Sequence, residues 1–329
     1  MMNKSKIQWT EMSWNPITGC RHNCEYCYAR KQARRFSGDI RLNKGTGQMK
    51  QYLGDVPSEN VCYVLPQPFR NAKGRVVPFP VGFEPTLHEY RLCMPAQRKK
   101  PTTIFVCSMA DLFGAWVPDE WIKRVFDACE AAPWHNYLFL TKNPQRYTDL
   151  ANARALPEHD NWWYGTSVTK KGDKFFGGRI TDHIFLSIEP LHESLDAGLG
   201  SFGGAEWIIV GAETGIRPGK ITPKREWIEN IIEAASITQA AVFLKNSKEM
   251  DAVWGAPLIQ QLPPELERED DPEIPHCKAC GFAMTEEQGK RGTLYRCGLA
   301  RAKHIPGRHT RTSPRWCPIR NSKEANKNE

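Results

Sequence analysis

Three cysteines near the N-terminus, Cys20, Cys24 and Cys27, stand on the short segment GCRHNCEYCY at 19–28. Thiols spaced x3 and x2 on so short a loop can face one metal centre, and thiolates are the ligands of iron–sulfur cubanes. Three of them would hold three irons and leave the fourth iron without a protein ligand. The same donors would suit a tetrahedral zinc with its fourth ligand supplied from elsewhere, for which His22 stands inside the loop; unmetallated thiols are the third reading. A second group, Cys277, Cys280, Cys297 and Cys317, opens with a C-x2-C pair. Four thiolates predict a structural zinc organising a small ribbon-like module, too small to fold on a core of its own, or else an auxiliary iron–sulfur cluster, with unmetallated thiols as the third reading. His276, His304 or His309 could replace one thiolate. Cys62, Cys93, Cys107 and Cys129 are scattered and read as ordinary thiols.

The elements that must position these groups are legible as short apolar runs at 103–107, 137–140, 162–166, 183–187, 207–210 and 241–244. Each is rich in β-branched or aromatic residues, the composition of strands buried on both faces of a parallel sheet. Between them, 118–130 places Trp121, Ile122, Val125, Phe126 and Cys129 on one helical face, and 223–235 does the same with Trp227, Ile228, Ile231 and Ile232, with Thr222 as its expected N-cap. The alternation predicts an α/β fold wound as a partial or full (β/α) barrel, whose site lies at the C-terminal strand ends. Polar residues follow every run: Ser108 and Asp111, Thr141 and Lys142, Thr166 and Ser167, Ser187 and Glu189, Glu213 and Thr214, Lys245 and Asn246. They predict a cup for cofactor and substrate, with Ser108, Asp111, Lys142, Ser167, Ser187, Glu189, Glu213 and Lys245 as binding candidates. Glu189 or Glu213 would meet hydroxyl or amino groups, and Lys142 or Lys245 an anionic group. Asn15 stands where it could orient the cysteine loop, and Trp9, Trp14, Trp162 and Trp163 are expected in the core.

Along the 329 residues, a barrel-like domain is expected at 1–261 with an insertion at about 37–80, then an acidic, Pro-rich linker at 262–275, then a basic cysteine-rich metal-binding module at 276–329. From His276 onward 12 Lys and Arg face 4 Asp and Glu, which accounts for the whole net charge of +8. Such a segment can attract phosphate backbones, although a merely solvated tail has the same composition. No apolar run approaches the ~18 residues of a membrane span. Residues 1–10 lack a signal-like apolar stretch, so a cytoplasmic protein is expected. There disulfides are disfavoured, and metal binding is the natural use of grouped cysteines.

From Cys20 onward the sequence resembles the radical S-adenosylmethionine (SAM) superfamily, whose C-x3-C-x2-C signature is matched by Cys20, Cys24 and Cys27, with the aromatic Tyr26 before the last cysteine. Over 9–246 it is similar to a phage- and prophage-associated family of uncharacterised radical-SAM-like proteins. The matching segments are WTEMSWNPITGC at 9–20, IFVCSMADLF at 104–113, FLTK at 139–142, FLSIEPL at 185–191 and WIIVGAE at 207–213. The resemblance implies a complete or partial β/α barrel, a 4Fe–4S cluster on Cys20, Cys24 and Cys27, and SAM chelated at the open iron. It further implies reductive SAM cleavage to a 5′-deoxyadenosyl radical, and a reductant such as flavodoxin or ferredoxin. With the basic tail, the expected substrate is a macromolecule, nucleic acid ahead of protein. Two other readings stay open: a nucleic-acid-binding regulator with structural or redox-sensing metal sites, and a radical SAM enzyme acting on a small molecule.

Overall fold

The computed structural model describes residues 2–54, 61–177, 183–195, 202, 204–255 and 257–267, and the backbone of three later strands at 284–289, 292–297 and 303–305. The chain divides into two units, Met1–Leu266 and Glu267–Glu329. The zinc site expected on Cys277, Cys280, Cys297 and Cys317 lies outside the described side chains.

In chain order the first unit runs β1 (Met2–Lys4), β2 (Met12–Trp14), β3 (Ile17–Thr18), α1 (Tyr28–Phe36), α2 (Ile40–Lys44), β4 (Lys50–Gln51), β5 (Tyr63–Leu65), β6 (Thr86–His88) and α3 (Met94–Gln97). It continues through β7 (Thr103–Val106), α4 (Asp119–Glu130), β8 (Asn136–Thr141), α5 (Gln145–Asn152), β9 (Trp162–Ser167), β10 (Ile184–Ile188), β11 (Trp207–Val210), α6 (Arg225–Thr238), β12 (Ala241–Leu244) and α7 (Lys248–Trp254). In the second unit β13 (Met284–Gly289), β14 (Gly292–Cys297) and β15 (Lys303–Ile305) form an antiparallel sheet.

The main sheet has eight strands in the order β1-β2-β7-β8-β9-β10-β11-β12. All are parallel except β1, which pairs antiparallel on β2. Side chains alternate between two apolar faces, as period-2 strands require. On one face, Ile104, Val106, Tyr137, Phe139, Trp162, Tyr164, Leu186, Val210 and Leu244 pack against α4, α5 and α6 in one continuous core. On the other, Phe105, Leu138, Trp163, Phe185, Trp207 and Phe243 form an aromatic-rich patch that Trp9 and Leu266 cover. Gly165 is required within it: a Cβ there would come within 2.2 Å of the Phe185 ring.

The stripe predicted for α4 is buried as expected, at Trp121, Ile122, Val125, Phe126 and Cys129, and Asp119 and Glu120 sit in its first turn, where the helix dipole favours acids. α6 starts two residues later than Thr222 would have capped. The chain is still extended at Lys224, which stands at the N-cap without a side-chain hydrogen bond.

Three features refine the expectation. Among the described residues no strand ladder joins β12 back to β1 or β2, so the sheet is open and a full barrel is not formed. Instead Leu244 donates its N–H to Ile259 O (2.7 Å) and Gln261 to Val242 O (2.9 Å), so the returning chain covers the β12 edge. Gln8 exchanges two hydrogen bonds with Asn246 across the gap. Second, the stretch expected to begin as an exposed linker at 262 packs at first: Leu262 and Leu266 lie against the aromatic-rich inner face of the sheet, Leu266 only 5% exposed. Third, the segment expected as an insertion at about 37–80 carries elements of its own. It contributes α2, β4 and β5, and these strands join β3 and β6 in a four-stranded sheet ordered β3-β6-β5-β4. Among the described residues no helix is long and apolar enough to cross a membrane.

Candidate functional site

The cysteine loop follows β2 of the main sheet and β3 of the four-stranded one, and ends on α1. Gly19 opens it at φ +92°, and a Cβ there would lie 2.3 Å from the Glu84 carbonyl oxygen, so only glycine passes this point unstrained. Gly19 N–H donates to Met109 O (2.9 Å) and Cys20 N–H to Phe83 O (3.2 Å). Asn15 ties in the loop after β7, its Oδ1 accepting from Met109 N–H (2.8 Å) and the Ser108 hydroxyl (3.2 Å). Cys27 is the N-cap of α1, its Sγ accepting from Arg30 N–H at 3.3 Å.

One cavity of about 430 Å³ collects these cysteines and the strand ends. Its lining includes Cys20, Cys24 and Cys27, and all eight predicted binding residues: Ser108, Asp111, Lys142, Ser167, Ser187, Glu189, Glu213 and Lys245. Trp9, Phe105 and Leu140 form its apolar wall.

The eight differ in how free they are. Asp111 is 5% exposed, and its two oxygens accept from the Thr141 hydroxyl (2.8 Å), Phe113 N–H (3.0 Å) and Lys142 N–H (2.9 Å) and pair with His22 Nε2 at 2.7 Å. Its acceptor capacity is spent on joining the cysteine loop to the end of β8, so it positions rather than binds. The same pairing occupies His22 Nε2, which sequence alone offered as a zinc ligand. Glu189 is in an ion pair with Lys245. Glu213, 3% exposed, meets Arg217 through both oxygens (2.6 and 2.9 Å) and His192 Nε2 at 3.0 Å. The hydrogen bond from Arg217 holds its carboxyl below the usual range against the opposing effect of burial, with His192 adding to the shift. Arg217 also reaches Glu25 of the cysteine loop at 3.1 Å. Lys142 Nζ sits 5.6 Å from the Tyr26 ring centre, and that ring packs edge-on to His192.

The donor set suits a cubane. Burial, then the Asp111 charge, pushes the Cys20 thiol up to about 12, so a thiolate there needs a cation beside it, which a bound iron would provide. Among the described residues no three His, Cys, Asp or Glu side chains converge as ligands of one metal ion. A cubane asks for something else: thiolates standing apart on one wall, each on its own iron.

Residues 4–254 match the model of a family described as "Protein of unknown function (DUF5131)". The chain belongs to this family. Every residue lining the cavity falls within the DUF5131 region, and Cys277, Cys280, Cys297 and Cys317 fall outside it. No curated protein matches the chain. Solved structures similar to it include spore photoproduct lyase complexed with dinucleoside spore photoproduct, at 12% identity and a TM-score of 0.39, covering 90% of this chain and 70% of that chain. A variant of that lyase with bound AdoMet and the same dinucleoside is similar at 12% identity and a TM-score of 0.38, with the same coverage.

His192, Arg217 and the structural duty of His22 were not legible in the DUF5131 sequence. They sit on loops without periodicity, and nothing in their spacing says which carboxylate each will meet. Strand β2 was missed because Met12-Ser13-Trp14 is too short to carry a pattern.

Proposed function

We propose that this chain is a radical SAM enzyme, with a 4Fe–4S cluster on Cys20, Cys24 and Cys27, acting on nucleic acid. The observation that carries the reading is the shared cavity: three cysteines on its wall, and a polar residue from the end of every parallel strand from β7 to β12. Ligand sites of parallel α/β sheets lie at those ends. When bound, such a cluster supplies an open iron to chelate SAM and one electron for its reductive cleavage.

The chain's own residues do the placing. Glu213, kept ionised by Arg217 and His192, is a fixed acceptor for ribose hydroxyls or an ammonium group. Lys142, poised over Tyr26, is a cation for a carboxylate or phosphate. Glu189 and Lys245 offset one another and give a polar patch of no net charge. Trp9, Phe105 and Leu140 keep water from one side. The nucleic-acid part rests on the 12 basic against 4 acidic residues after position 275.

Anaerobic reconstitution tests the reading. Wild-type protein is expected to bind iron and sulfide, to absorb in the visible, and to release 5′-deoxyadenosine from SAM with dithionite or a flavodoxin- or ferredoxin-type donor. Cys24→Ala is expected to lose all three properties. Protein that holds no iron, or holds it and leaves SAM intact, overturns the proposal.

A further inference from the structure

A second cavity, of about 650 Å³, lies on the other side of the cysteine loop, lined by Cys20, Arg21, Asn23, Arg30, Arg34 and Ser37, and by Ile40 and 81–84. Cys20 and Phe83 line both cavities, so the two share a wall. Arg30, Arg34 and Ser37 fall on one stripe of α1 and its C-cap because they are spaced four and three residues apart. Lys31 and Arg35 form the adjoining, exposed stripe. Although 1–275 as a whole is electrically balanced, 21–44 carries seven Lys and Arg against two Asp and Glu.

These cations differ in how they are held. Glu84 lines the same cavity and neutralises Arg21 at 2.8 Å. Arg30 is fixed in place: its guanidinium lies over the Phe83 ring (5.4 Å) and donates to Cys20 O (3.3 Å), while its Nε has no partner. A large apolar side chain stands within this charge. Phe36, at the C-terminal end of α1, is 46% exposed, and the Arg35 guanidinium lies over its ring at 5.4 Å; Tyr28, at the other end, belongs to the candidate reaction cavity, where its hydroxyl donates to Ser108 O (2.8 Å). An exposed ring among cations is the combination that grips an unpaired strand, with phosphates on the charges and a base on the ring. α1 is nine residues long, about 14 Å at the helical rise, which exceeds the reach of one free phosphate and suits consecutive phosphates of a strand.

We propose that this cavity and the outer face of α1 bind the phosphate backbone of a single nucleic-acid strand, with Arg30 and Arg34 as the phosphate contacts and Phe36 as a stacking platform. The proposal rests on the nucleic-acid reading above and gives it a site: the strand runs past the cysteine loop, on the far side of Cys20 from the candidate reaction cavity.

The test uses the full chain, a fluorescent single-stranded DNA or RNA oligonucleotide, and anisotropy measured over a range of salt. Each lost phosphate contact is expected to reduce the slope of log affinity against log salt by about 1. Arg34→Glu, at an exposed position, is expected to weaken binding about tenfold or more and flatten that slope. Arg30→Lys keeps the charge but loses the fork, and is expected to weaken binding less. Phe36→Ala is expected to weaken binding without altering the slope. Inorganic phosphate at millimolar concentration is expected to compete poorly; effective competition would mean a free-phosphate site and overturn the strand. Unchanged affinity and slope in Arg34→Glu overturn the proposal, as does wild-type protein that binds no oligonucleotide. So does loss in the variants of response to a flavodoxin- or ferredoxin-type donor while oligonucleotide binding is intact, which would make this face a dock for an acidic protein. Binding needs neither iron nor SAM. Variants that lose it, in a wild-type background that cleaves no SAM, would therefore sink the enzyme reading and leave this site standing.

Discussion

Asp111 shows how a residue can be in the right place for one reason and serve another. Sequence put it after a strand, among groups that line a cup; the structure spends its oxygens on Thr141, Phe113, Lys142 and His22. Asp111→Asn would turn one oxygen into a donor facing two existing donors. It is expected to cost about 1–3 kcal/mol by urea unfolding, because buried donors lose their acceptor. Iron retention is expected to fall with it, since His22 no longer anchors the cysteine loop. Glu213 gives a pH signature. A carboxyl held below its ordinary value stabilises the fold above the unfolded pKa, about 4.3 for glutamate, and ceases to as pH falls through the folded value. Arg217→Gln removes the main cause. Its stability is expected to lie below wild type at neutral pH and to converge with it in acid; a gap that persists at low pH would assign Arg217 another role.

At the scale of elements, the apolar runs and the α4 stripe were readable because period 2 and period 3.6 are imposed by burial on a sheet or against one. Trp121→Ala, at a fully buried position in α4, is expected to cost about 3–5 kcal/mol in the same unfolding assay. The start of α6 was misplaced because a Thr-Pro pair looks like a helix entry, whereas the chain stays extended through Lys224. The cysteine loop depends on conformation rather than pattern. Gly19→Ala forces a side chain onto the Glu84 carbonyl at positive φ. It is expected to lose about 1–3 kcal/mol of stability, and to hold less iron after reconstitution than wild type does.

At the scale of the whole molecule, the boundary between units matters to any truncation. Ending the chain at 266 keeps Leu262 and Leu266 on the inner face, and ending it at 261 strips them off. The shorter product is expected to be less stable by about 1.5–3 kcal/mol for the buried Leu266 and by less for the half-buried Leu262, measured as a lower unfolding midpoint. If Cys277, Cys280, Cys297 and Cys317 hold zinc, both products are expected to lose it relative to the full chain, as read by elemental analysis.

The residue types and their order by themselves determined that three thiols share one loop, that parallel strands carry polar groups at their C-terminal ends, and that 276–329 is basic. These are local properties, written in spacing and composition. Tertiary structure alone decided that the thiols and the strand ends line one cavity, that Asp111 and His22 are consumed by each other, that Arg217 joins β11 to the cysteine loop, and that the sheet stays open. Those depend on which distant side chains meet, and a loop contact formed across 192 residues between Glu25 and Arg217 leaves no period in the chain to read.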